Sequence, residues 1–284
     1  MTSALETYRL ALAKSPLSNN TKRSYESRVG GYLAWLDTAD VDGDPLSDPS
    51  ARDWAVRDYR SWLKNQHVAP STVNAIMCAI DHLYITLGLG PALARRESLP
   101  QTAPRALDPQ DQTRFPRELE RCDSRDRAIG LMCYYAGLRV AEIASLNVGD
   151  VSMSARIGSV TIWRGKGDTT RSVPLHPELR RALAAYLAER QSNTDALFAN
   201  RAGARLSVRS VGAVVAKVGK SVGIDDLTPH VLRHTFATNL VRQGTDLMLT
   251  ASLLGHKNVV TTMLYTRPSS ADRARAVEML PVEG

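Results

Sequence analysis

Between Pro229 and Tyr265 the chain gathers His230, Arg233, His234, His256 and Tyr265. An arginine is a permanent cation whose forked donors match phosphate oxygens. Imidazoles move protons near neutral pH, and a phenol can form an ester once its environment takes the proton away. Together these groups suit work on a phosphodiester. A phenol is a weak nucleophile at its ordinary pKa of about 10, so Tyr265 needs cationic neighbours or a hydrogen-bonding base; taken alone, a tyrosine is usually a core residue. The i, i+4 pair His230 and His234 lacks the intervening glutamate of a zinc helix, and no nearby Asp or Glu completes a ligand set. Neither a metal nor another cofactor is expected.

A second arginine, Arg139, follows Gly137-Leu138 inside the helical run Arg125–Leu146, whose middle Gly137 interrupts with a break or a close packing contact. A permanent charge in an apolar stretch needs a carboxylate or an anion. Glu142, three residues on, supplies the first possibility as a structural ion pair, and a phosphate supplies the second. Lys166 sits in the turn Gly165-Lys166-Gly167-Asp168 between the β-like runs Val160–Trp163 and Thr170–Val173. It reads either as an ordinary exposed turn lysine or as a mobile acid able to protonate a leaving oxygen in a DNA groove.

These groups must be positioned by a larger body. The chain has 284 residues, 43% hydrophobic, enough for two cored domains. Its net charge is +7, with 11 Lys and Arg against 10 Asp and Glu in residues 1–96 and 25 against 19 in residues 97–284. The excess points to a polyanionic partner, nucleic acid first. Cys78, Cys122 and Cys133 are too few and too irregular for a disulfide framework or a CxxC metal site. No stretch has the length of a signal or a membrane span, so a cytoplasmic location is expected.

Four short helices are predicted before residue 96, around Leu5–Leu12, Ser18–Leu36, Trp54–Leu63 and Pro70–Leu87. The acidic stretch Asp40–Asp53 reads as a loop between them. Residues 97–108 have linker composition. After the hairpin, helices are expected at Glu178–Glu189, Val208–Val222, Val231–Gln243 and Leu247–Leu254. The Val208 helix sets valines on one face against Arg209, Ser210, Lys217 and Lys220, which nominates it for a DNA major groove over a merely solvated charged face.

The motifs Ala136-Gly137-Leu138-Arg139-Val140-Ala141-Glu142, Gly165-Lys166-Gly167, His230-Val231-Leu232-Arg233-His234-Thr235, Leu253-Leu254-Gly255-His256 and Tyr265-Thr266 together resemble the tyrosine recombinases, the phage integrase and Xer family, in that family's order. The resemblance implies a mainly α fold with a small antiparallel β-sheet in two domains. A helical, SAM-like core-binding domain covers residues 1–96 and an α+β catalytic domain residues 109–284.

It implies Tyr265 as nucleophile, Arg139 and Arg233 as phosphate clamp, and Lys166 as acid toward the leaving 5′ hydroxyl. His230 is implied as a general acid/base and His256 as a hydrogen-bonding partner of the phosphate, with Glu142 and His234 in support. The reaction would be transesterification through a 3′-phosphotyrosine and a Holliday junction, needing neither ATP nor metal. The partners would be double-stranded DNA and the other subunits of a homo- or hetero-tetramer on two DNA sites, at the nucleoid, with no membrane. The tail Ser269–Leu280 would be a docking helix, on a neighbour or on its own domain. A DNA-binding protein with a vestigial pocket and a type IB topoisomerase-like enzyme are the competing readings.

Overall fold

The computed structural model describes residues 2–99, 105–154, 156–163, 170–256 and 260–266. Two compact units, Met1–Gln101 and Thr102–Gly284, make up the chain. The first holds α1 (Thr2–Lys14), α2 (Asn19–Leu36), α3 (Pro49–Asn65) and α4 (Pro70–Thr86). Ser18 Oγ accepts the Thr21 N–H to start α2, and the Asp48 carboxylate accepts from Ser50 and Ala51 to start α3. Proline opens α3 and α4 at the turn where a missing N–H costs nothing. Tyr8, Tyr32, Tyr59, Met77, Ile80 and Tyr84 fill the space between these helices.

After α4 the chain runs extended along its own unit. Arg52 donates to the carbonyls of Leu89 and Gly90, Leu93 N–H to Asp53, and Ala92 N–H to Asp81. Asn74 clasps the Glu97 backbone through both its amide groups, and Arg60 pairs with the Glu97 carboxylate. Residues 97–99, expected in the linker, are therefore held by the first unit. On the far side Arg105 donates to Asp225 and the buried Leu107 N–H to Thr235, which ties residues 105–107 to the second unit. Loop composition at 97–108 could not reveal these polar anchors.

The second unit begins with α5 (Pro109–Leu119), capped by Asp108 and not foreseen from the sequence. Then follow α6 (Ser124–Tyr135), α7 (Val140–Ser145), β1 (Val151–Met153), β2 (Gly158–Ile162), β3 (Arg171–Pro174), α8 (Pro177–Glu189), α9 (Val208–Ser221), α10 (Pro229–Arg242), α11 (Leu247–Leu254) and α12 (Val260–Met263). A 3-10 turn at Leu264–Thr266 ends the described chain. The strands form one antiparallel sheet in the order β1-β2-β3, with Val160 opposite both Val151 and Val173. β1 extends the expected hairpin to three strands.

The helical run Arg125–Leu146 is two helices, α6 and α7, interrupted at Gly137. Gly137 lies between them at φ 59°, and a Cβ there would sit 2.3 Å from Phe236. Both effects demand glycine, one for the left-handed turn and one for the approach of α10. Arg139 consequently stands just before α7 and not in mid-helix. No described helix is long and apolar enough to cross a membrane.

Candidate active site

Thr228 Oγ1 accepts the Val231 N–H and Pro229 takes the first position of α10, so the helix starts just before His230. Arg233, one turn on, is 3% exposed. Its Nη1 donates to the Gly137 carbonyl at 2.6 Å and its Nη2 to Leu254 at 2.7 Å. Burial and the neighbouring Arg139 lower its pKa to about 10, which leaves it charged at neutral pH.

The carbonyl end of α11 is the anchor of the whole site. A helix leaves its last carbonyls unpaired, with partial negative charge, and Gly255 at φ 65° turns the chain away from them. Three guanidinium groups fill the vacancy. Arg233 and, at a long 3.5 Å, Arg139 reach Leu254; Arg139 Nη2 reaches Gly255 at 3.3 Å; Arg171 Nε reaches Leu253 at 3.0 Å. Like charges that repel in isolation are thereby held together.

Glu142 supplies the counter-charge. Its oxygens take two bonds from Arg171, at 2.9 and 2.7 Å, one from Arg139 Nη1 at 2.9 Å and one from the Arg139 backbone N–H at 2.8 Å. Burial opposes ionisation, but the Arg171 and Arg139 bonds prevail and bring its pKa to about 2. Two like-charged arginines are neutralised in part while the Arg139 side chain remains 38% exposed.

Tyr265, 7% exposed, packs with Ala237 and Leu254, and its Oη lies 2.9 Å from His234 Nδ1. Burial raises the phenol pKa while Arg233 and Arg139 pull it down, burial prevailing. His234 is lowered to about 4 by burial, His230 and Arg233. His256 is also lowered to about 4, by burial and by Arg233, Arg139 and Arg171. Its Nδ1 meets Thr262 Oγ1 at 2.8 Å and its ring lies nearly parallel to that of Tyr265, centroids 6.2 Å apart. Both imidazoles are neutral at pH 7.

The structure thus brings Arg139, Glu142, Arg233, His234, His256 and Tyr265 into one cluster. His230 is exposed on the same helix, its ring centroid 6.4 Å from that of His234. Lys166 and the tail Ser269–Leu280 lie outside the described residues. On α9, Arg209, Lys217 and Lys220 are exposed opposite the buried Val211, Val214, Val215 and Val218. Ser210 is half-buried and bonded to the capping Ser207.

Two residues were not anticipated, Arg171 and Thr262. Arg171 was detectable, because strand alternation places it on the same face as the buried Val173, where a charge needs a partner. Nothing local signalled Thr262. Among the described residues no three His, Cys, Asp or Glu converge as a metal site.

Residues 105–272 match the Phage integrase family. The chain is 30% identical to the tyrosine recombinase XerA of Thermococcus kodakarensis over 97% of its own length and 95% of the relative's. It is 32% identical to XerD of Corynebacterium glutamicum, covering 92% and 91% of the two chains. In fold it is similar to the XerH site-specific recombinase bound to difH substrate, with a TM-score of 0.71 at 20% identity over 91% of this chain and 80% of that one. With two-thirds and more of such relatives covered and the family match spanning most of the second unit, the chain belongs to the phage integrase family, as a tyrosine recombinase.

Proposed function

We propose that this tyrosine recombinase cuts and rejoins double-stranded DNA at specific sites through Tyr265, using Arg139 and Arg233 to hold the scissile phosphate. The observation that carries this reading is the fastening of both guanidinium groups to the carbonyl end of α11, beside the pocket in which Tyr265 lies. Donors fixed in advance stabilise charge that grows on nonbridging oxygens without reorganising during the reaction. Glu142 and Arg171 keep the pair in place. His256 borders the phenol and offers the phosphate a hydrogen bond, His230 exchanges protons at the outer edge, and Lys166 protonates the departing 5′ oxygen.

The phosphotyrosine retains the bond energy, so a 5′ hydroxyl from a partner duplex reverses the step without an external energy source. Strand exchange calls for four protomers on two duplexes. Arg209, Lys217 and Lys220 of α9 face the DNA, and the basic second unit draws in the polyanion. The enzyme works in the cytoplasm, at the nucleoid.

Trapping covalent protein–DNA adducts from genomic DNA and sequencing the captured ends tests the proposal. Adducts should map to a defined site, and Tyr265→Phe should abolish them while DNA binding persists. An adduct that survives in Tyr265→Phe defeats the assignment. Sequence-tolerant relaxation of a supercoiled plasmid without the captured site would instead favour a topoisomerase-like activity.

A further inference from the structure

We propose that His234 is a catalytic base, its Nδ1 receiving the phenolic proton of Tyr265 as the Tyr265 oxygen attacks phosphorus. This rests on Tyr265 being the nucleophile. The geometry selects His234 among three imidazoles. Its Nδ1 is 2.9 Å from Tyr265 Oη. His256 spends its Nδ1 on Thr262 and presents a ring face to the phenol. His230 is exposed, one turn earlier on α10, beyond the His234 ring. His234 is half-buried, where its ring is held against the phenol with centroids 5.5 Å apart.

The proposed role places the His234 ring proton on Nε2, so that at rest the phenol donates and the neutral imidazole accepts. Burial, His230 and Arg233 keep His234 unprotonated, so the acceptor lone pair is always available near neutral pH. Those same surroundings make it a poor base until DNA binds. A phosphodiester seated on Arg139 and Arg233 offsets the Arg233 charge that depresses His234, and the phenol grows acidic as its oxygen bonds to phosphorus. Proton transfer therefore becomes favourable only with substrate in place.

The step balances. The Tyr265 Oη–P bond forms, the P–O5′ bond breaks, the phenolic proton goes to His234 Nδ1, and the O5′ takes a proton from Lys166. Religation reverses each transfer, and protonated His234 returns its proton to the leaving phenol. The groups facing His234 are His230 and Arg233 on α10, His256 after α11, and Tyr265 itself.

The test uses the full chain and a duplex bearing the captured site, made with its ordinary phosphodiester or with sulfur replacing the leaving 5′ oxygen, which needs no acid to depart. His234→Gln keeps a hydrogen-bond acceptor without the basicity. It should bind DNA like the parent, form adduct about 10²-fold more slowly on both duplexes, and recover close to tenfold per pH unit on the alkaline side as hydroxide substitutes for the base. A rate within threefold of the parent would mean that the bond only positions the phenol. A slow rate that is flat with pH would indicate a packing defect, and recovery on the sulfur duplex alone would place His234 on the leaving-group side; each outcome overturns the proposal.

Nitrogen-15 NMR of the free protein keeps the idea open to refutation should His234→Gln fold poorly. The His234 Nδ1 resonance should be that of an unprotonated acceptor and should move in Tyr265→Phe; an unchanged resonance overturns the proposal. Adduct persisting in Tyr265→Phe would remove the nucleophile assignment, and the proposal for His234 with it.

Discussion

The first unit buries tyrosines as deeply as the second buries Tyr265, and the contrast shows how the surroundings of the phenol proposed to react differ from those of structural ones. Tyr32 and Tyr84 share a hydroxyl–hydroxyl bond of 2.6 Å in a core of aromatic rings. Burial first, then the neighbouring phenol, lifts Tyr32 far above its ordinary range, and burial lifts Tyr84 to about 12. Desolvation raises Tyr265 too, but Arg233 and Arg139 oppose it and His234 Nδ1 lies 2.9 Å from its oxygen. Burial alone makes a phenol inert. A positive field and an acceptor are what the second unit adds.

Arginines repeat the lesson. Arg52 in the first unit and Arg233 in the second are 5% and 3% exposed, and each donates to two backbone carbonyls. Arg233→Lys should lower single-turnover adduct formation about 10³-fold, since an ammonium cannot reproduce two forked donors beside a developing charge. Arg52→Lys should leave that rate unchanged. Equal losses in the two variants would break the comparison and reduce Arg233 to a structural residue.

Ion pairs divide the same way. Removing Arg171 strands the Glu142 carboxylate with half its partners in a buried place, so Arg171→Ala should cost about 3–5 kcal/mol of stability in denaturant unfolding. Arg9→Ala, which breaks the exposed pair with Glu26, should cost about 0–1 kcal/mol. A small cost at Arg171 would mean that water replaces it, and that the second unit's charge cluster is looser than its bonds suggest.

The helices were legible wherever apolar spacing met a capping residue, as at Ser18 before α2 or Thr228-Pro229 before α10. The chemistry was legible because arginine, histidine and tyrosine recur at motif spacing. Other features depend on contacts that no local pattern carries. Gly137 signalled a break, but only the Phe236 ring and the positive φ show that Arg139 stands before a new helix. His234 was expected only to support its helix, since its distance from Tyr265 is set by the turn at Gly255 and the path through α12. The α11 carbonyls were invisible as well: a backbone acceptor has no letter in the sequence.

Acid should separate the two units next. Glu142, normally near 4.5, ionises at about 2 in the folded protein. A lowered carboxylate pKa stabilises the fold fully above the unfolded value, and the benefit disappears as pH falls toward 2. The shift corresponds to about 3 kcal/mol. His234 and His256 act earlier. Their folded values of about 4 lie below the ordinary 6.5, so the unfolded chain binds protons first and stability falls between pH 6.5 and 4. Hydrogen exchange against pH should show protection in α7, α10 and α11 falling over this range by more than in α4, where His82 is lowered by burial as well; an equal loss in both would contradict the assigned protonation states.

The smallest effect is the sharpest test of the first unit. Tyr32→Phe leaves the Tyr84 hydroxyl buried without its partner, at a cost of about 1–3 kcal/mol, and Tyr84→Phe does the same to Tyr32. Replacing both leaves no orphaned hydroxyl, so the double variant should unfold within about 1 kcal/mol of the parent, and adduct formation should be untouched in all three. A double variant as unstable as the sum of the singles would show that the two hydroxyls answer to other groups. Recovery in the double variant means that these phenols serve only each other, whereas on the proposed mechanism no second substitution can compensate for loss of the Tyr265 hydroxyl, because its partner there is the DNA.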